Sequence, residues 1–253
     1  MSAENDSEPD DPGIPPSIEL AWGRRGGGTR GPKRALTLQA IVDAGIALAS
    51  TEGIEHVSMA RVAKQLGVGT MSLYRYVLSK DELLTVMVDY GLGTPPAGTH
   101  GEHWRVGLTR WAEGVRAAYL RHPWSLKVPI TAPPLGPNNV RWMEAALASM
   151  IATPLGEHEK LSTLLVLSGF VRSDATLAVD VIAAATQAAR SGLAPVTYGA
   201  ILSELTDPRD FPAVHRAIAS GILDEDEDDS EHNFRFGLER ILDGVALLIE
   251  RST

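Results

Sequence analysis

The segment from Leu66 to Glu82 holds the residue types and spacing best suited to a defined chemistry. Thr70, Met71, Ser72, Tyr74, Arg75, Tyr76 and Lys80 follow one another closely there. Hydroxyls bond base edges or phosphates, a methionine touches base methyls, and Arg and Lys neutralise phosphates, so this set suits a nucleic-acid surface. Other chemistries fail on their own spacing. The chain has no cysteine, which removes disulfides, thiol catalysis and Cys-ligated zinc together and fits a reducing cytoplasm. Gly26–Lys33 faintly suggests a phosphate loop, but Pro32 occupies the lysine position and no strand precedes it. A calcium loop opening at Asp224 needs Gly at 229 and Glu at 235, where the chain has Asp229 and Arg235. His100, Glu102 and His103 straddle a turn with no fourth ligand indicated. Ser, His and Asp occur without a nucleophile elbow. Neither an enzyme nor a metal or cofactor site is expected.

Charge singles out the same region. The chain has 253 residues and a net charge of −9, unevenly spread. Residues 1–23 carry −6, residues 24–80 carry +6, and residues 81–253 carry −9. A basic segment in an acidic protein points to a polyanion partner for that segment alone. No apolar stretch is long enough to span a membrane, and the acidic start lacks the apolar core of a signal peptide.

Helices must position these residues. Thr37 caps a first helix with Leu38, Ile41, Val42, Gly45, Leu48 and Ala49 on one face, ended by Gly53. Ser58 caps a short second helix, and Gly67-Val68-Gly69 forms the turn after it. A third helix is expected from Thr70 to about Val77, and Ser79 with Glu82 reads as a reciprocal capping box opening a fourth. Two short helices joined by a glycine turn describe a helix-turn-helix, whose second helix enters the major groove; a plain helical hairpin is the alternative from pattern alone. Residues 1–35 read as a disordered arm, acidic then basic, residues 36–92 as the helix-turn-helix unit, and 93–99 as a boundary. Residues 100–253 read as helical, with helices near 103–121, 138–152, 157–190, 197–206, 212–220 and 233–250. The fold class is therefore all-α, a small N-terminal unit plus a larger helical one.

The stretch from Thr37 to Leu84 closely resembles the DNA-binding domain of the TetR (tetracycline-repressor) family. Ile41–Ala49, Ser58–Ala63 and above all Leu66–Leu84 carry the resemblance. His122-Pro123-Trp124 and Pro133–Glu144 are similar to the C-terminal ligand domain of one branch of that family. The resemblance implies a homodimer that binds double-stranded operator DNA and a small effector. It implies that Thr70, Met71 and Ser72 face the groove, that Tyr74 and Tyr76 pack on or bond the phosphate backbone, and that Lys80 contacts phosphate. The chain adds about 35 residues before the first helix, where many members have only a few. There, Arg30, Lys33 and Arg34, with Arg24 and Arg25, resemble a minor-groove arm; a solvated tail is the other reading.

Aromatic supply suggests the effector site. Trp104, Trp111, Trp124 and Trp142, with Met143 and Phe170, are expected to border an apolar cavity for a small, apolar effector, though each could be ordinary core. The helices at 157–190 and 233–250 are suited to dimerisation, through Leu161, Leu165 and Ile182 among others. The reading is thus a homodimeric, ligand-released transcriptional repressor. The rival is a ligand-independent DNA-binding or activating protein with a filled helical core.

Overall fold

Capping side chains set where the helices of the N-terminal unit begin. Thr37 Oγ1 accepts the Ala40 amide at 3.1 Å, Ser58 Oγ the Arg61 amide at 3.3 Å, and Ser79 Oγ the Glu82 amide at 3.0 Å. Each satisfies a donor that the first helical turn leaves open. The computed structural model describes residues 13–24, 36–99, 101–131, 133–191, 197–223 and 230–252. Among these, every regular element is helical: α1 Pro16–Ala21, α2 Leu38–Glu52, α3 Met59–Leu66, α4 Thr70–Leu73, α5 Lys80–Leu92, α6 Trp104–Arg121, α7 Pro137–Ser149, α8 Glu157–Ser191, α9 Tyr198–Leu205, α10 Pro212–Ala219 and α11 Ser230–Arg251. Two short 3-10 turns, Ile54–His56 and Pro123–Lys127, complete the set.

Apolar side chains gather in two cores. The first is built by α2, α3, α4 and α5, with Ile41, Val62, Leu73, Leu83 and Met87 buried at its centre. The second lies among α6, α7, α8 and α11, around Leu108, Trp142, Leu167, Phe234 and Leu242. α9 and α10 pack chiefly on each other.

Three features depart from the sequence reading. Within the stretch read as a disordered arm, Pro16–Ala21 form a helix, and Ile18 is buried in the first core. Apolar Ile14, Ile18 and Leu20 make that possible between the acidic and basic flanks. The third helix is shorter than expected: α4 stops at Leu73, and residues 74–76 continue as a turn. The capping box is only half formed. Ser79 caps as expected, but the Glu82 carboxylate reaches the Leu78 amide and Ser17 instead of returning to Ser79.

Candidate nucleic-acid interface and effector domain

The helix-turn-helix is assembled around small and apolar residues. Ala63, 2% exposed, lets α3 and α4 approach closely. Gly67 ends α3 with φ 68°, the left-handed conformation that favours glycine, and Val68 N–H donates to Ala63 O at 3.0 Å. Leu73 is fully buried and pins α4 to the core. Met71 is 77% exposed, and Tyr74 and Arg75 are also exposed, while Thr70 and Ser72 are half-buried. The pinned face thus leaves a projecting methionine with hydroxyls beside it.

Cations flank this surface. Lys64 lies in the last turn of α3, Arg75 in the turn after α4, and Lys80 is the first residue of α5; all three are exposed. None forms an ion pair among the described residues, whereas Arg61 is taken up by Glu52 at 2.5 Å. Tyr76 differs from Tyr74 in keeping only the packing half of its expected role. It is half-buried and its hydroxyl donates to Leu36 O at 2.5 Å, which ties the turn to the start of α2 and withdraws that donor from phosphate. Arg30, Lys33 and Arg34 lie outside the described residues, as do Arg25, His100 and Asp224–Asp229.

The six residues expected around one cavity separate into different places. Trp124 sits in the 3-10 turn after α6 and is buried in the first core, not the second. The chain doubles back at His122, carrying Trp124 and Val128 onto the N-terminal unit. Burial there pushes the His122 imidazole below its ordinary pKa. Trp111 and Trp142 do meet, edge to face at 6.2 Å, with Trp111 Nε1 donating to Trp142 O at 2.8 Å and Trp142 Nε1 to Gly93 O at 2.9 Å. The space beside them, under Pro95 and Pro96, is only about 10 Å³. Met143 is 40% exposed on α7. Phe170 stacks on Phe234 at 5.6 Å, and Trp104 packs against His103 and under Arg105. A cleft of about 240 Å³ between α6 and α11 is lined by Phe234, Leu238, Leu242, Arg105 and Asp243, and Phe170 and Trp104 touch it only through Phe234 and Arg105. Only Trp111 and Trp142 pack on each other; Trp104, Trp124, Met143 and Phe170 each lie elsewhere. Of the residues weighed for metal, Glu102 is held by Arg110, which lowers its carboxyl pKa, and His103 Nδ1 accepts the Arg105 amide.

The joint between the two units includes one residue that the sequence reading passed over. Asp89, near the end of α5, is 2% exposed. Its carboxylate accepts the Asn139 amide at 2.8 Å, the Asn139 side-chain amide at 2.7 Å and the Asn138 amide at 3.3 Å. Asp89 therefore caps α7 from another helix, since the local cap position is Gly136, which has no side chain to do so. A Cβ at Gly136 would sit 2.2 Å from that carboxylate. The available signal was an acid within the apolar run Val86-Met87-Val88-Asp89.

Comparison with known proteins agrees with this arrangement. A model of the tetracyclin repressor-like C-terminal domain matches residues 94–249, and one of bacterial regulatory proteins of the tetR family matches residues 41–87. The HTH-type transcriptional repressor DrrR1 of Streptomyces coeruleorubidus is 37% identical over 245 residues, 92% of this chain and 86% of that protein. Apo ActR from Streptomyces coelicolor is similar with a TM-score of 0.69 and 25% identity, covering 89% of this chain and all of that one. ActR in complex with actinorhodin gives a TM-score of 0.65 and 27% identity, with 84% and 97% covered. With both units matched and the helix-turn-helix built as described, the chain belongs to the TetR family of bacterial DNA-binding transcriptional regulators.

Proposed function

We propose that this chain is a homodimeric repressor that reads a palindromic operator through α4 and leaves it when a small apolar effector binds the C-terminal unit. The observation that carries the operator reading is the pinned α4, with Leu73 buried, Met71 projecting, and Lys64, Arg75 and Lys80 exposed around it with no ion partner among the described residues. Thr70, Met71 and Ser72 address base edges, and Tyr74, Arg75 and Lys80 address the backbone. The apolar faces of α8 and α11 support self-association: Leu161 and Leu165 are 48% and 74% exposed, and Phe236 and Leu247 are 57% and 54% exposed. Two protomers paired there supply the two recognition helices that a two-fold operator needs.

The effector class follows the ring chemistry and the relatives. Trp111 and Trp142 lie beneath Pro95 and Pro96, and an open cleft of about 560 Å³ adjoins them, lined by Pro95, Pro96, Val140, Arg141 and Glu144. A flat apolar ring that displaces the proline segment joins the two spaces. The complex of ActR with actinorhodin supports a small-molecule effector for this chain. Release is then a population shift toward a conformation with wrongly spaced recognition helices.

Lys80→Ala tests the backbone contact. Binding to every duplex should weaken, and the slope of log affinity against log salt should shrink by roughly one phosphate contact, about 0.9. An unchanged slope in a folded variant removes Lys80 from the interface.

A further inference from the structure

We propose that α1 is a strap that fixes the DNA-binding unit on the effector unit, with Ser17 and Trp22 as its positioning residues. The proposal rests on the operator reading above and adds a route by which the effector unit holds the recognition helix in place.

The strap is tied at both ends. At its start, the Ser17 hydroxyl donates to Glu82 Oε1 at 2.5 Å and the Ser17 amide donates to the same oxygen at 3.3 Å. Ser17 is fully buried there, and Ile18 beside it is part of the first core. At its end, Trp22 Nε1 donates to Leu135 O at 2.8 Å, across 113 residues of chain. Leu135 is the residue before Gly136, the cap position of α7. A helix of six residues does not hold itself together in water, so α1 depends on tertiary contacts, among them these ties and the burial of Ile18.

The ties close a triangle. α5 grips α7 through Asp89, α1 grips α5 through Glu82, and α1 reaches the approach to α7 through Trp22. Asp89 and the seating of Trp124 and Val128 in the first core join the two units near the C-terminal end of α5. Glu82 lies seven residues earlier, about 10 Å along the helix. The strap adds an anchor at that other end of α5 and so adds to the resistance to rotation of the DNA-binding unit on α7. Glu82 also connects outward, because its other oxygen accepts the Leu78 amide in the segment leaving the recognition turn. The route from Leu135 through Trp22, Ser17 and Glu82 to Leu78 is thus continuous. Any displacement of the α7 approach acts on the recognition segment at Leu78 as well as through Asp89.

The consequence is a fixed separation of the two recognition helices in the dimer, which can be read as discrimination between operator spacings. A duplex is first selected by the full-length chain from a random library. Its affinity is then compared with that of the same duplex carrying one extra base pair between the half-sites. Trp22→Phe keeps an apolar ring at a partly exposed position but removes the donor to Leu135. It should leave the melting temperature nearly unchanged and reduce the spacing discrimination roughly three- to tenfold, the fold-change for one hydrogen bond. Ser17→Ala should reduce it similarly, and the double variant should do no worse than either single, because the two ties act in series. An undiminished discrimination in folded Trp22→Phe, or additive losses in the double variant, overturns the strap. If no two-fold duplex is enriched at all, the operator reading itself fails and the strap falls with it.

Discussion

Replacing Arg116 by Ala is expected to cost about 3–5 kcal/mol of stability, the penalty for removing one partner of a buried ion pair. Arg116 is 8% exposed on α6. Its Nε donates to Asp174 Oδ2 on α8 at 2.6 Å, and its other nitrogens reach Ser230 Oγ at 2.6 Å and Glu231 Oε2 at 3.0 Å on α11. The guanidinium also lies 4.7 Å from the centre of the Phe234 ring. One side chain therefore joins three helices of the second core. Without it, the Asp174 carboxylate, 12% exposed, has lost its cation. Glu231 is 59% exposed and contributes little to the loss. For a chain of this size, each kcal/mol lowers the melting temperature by roughly 2–4 °C, so calorimetry should show a fall of about 10 °C. Arg116→Met alone should recover little, because Asp174 remains buried and unpaired. Pairing it with Asp174→Leu should recover most of the loss. A fall of under 2 °C for Arg116→Ala contradicts this account of the core.

Asp89→Ala is expected to cost about 2–4 kcal/mol, combining the loss of a helix cap with buried amides left unpaired. The Asn138 and Asn139 amides and the Asn139 side chain all point at this carboxylate. Asp89→Asn keeps one acceptor oxygen and should recover part of the loss. Hydrogen exchange distinguishes this effect from general unfolding: the amides of Asn138 and Asn139 should exchange faster in Asp89→Ala, while those of α2 remain protected. Gly136→Ala should produce a similar loosening from the other side, because its Cβ would meet the carboxylate. Equal protection of the α7 first turn in wild type and Asp89→Ala would rule out the cap.

What the sequence made legible was local. Thr37, Ser58 and Ser79 cap where their types and spacing place them, and Gly67 ends α3 in the conformation glycine tolerates. These motifs need only a few residues of context. The tertiary choices were harder to see. Residue type and nearness in sequence do not tell what a ring meets, so Trp124, in a turn that folds back onto the first core, looked equivalent to Trp111 and Trp142. Tyr76 was expected to pack on or bond the phosphate backbone, and its residue type does not show that its hydroxyl is held by Leu36 O, 40 residues away. α1 is too short to announce itself between acidic and basic flanks, and its partners lie 65 and 113 residues away. Asp89 stood out only as an acid in an apolar helix, with nothing local to show that it caps α7.

The central claim is that α4 reads a two-fold operator, and selection from random duplexes by the full-length chain tests it most directly. The wild type should enrich one palindrome whose half-sites lie about one helical turn apart, about 34–36 Å, with two protomers bound per duplex. Met71→Ala, which removes an exposed side chain and touches no core, should enrich a different base pair at the same position in both half-sites. Enrichment of no palindrome, or of the identical palindrome by Met71→Ala with undiminished discrimination, would contradict the assignment of α4 as the reading element.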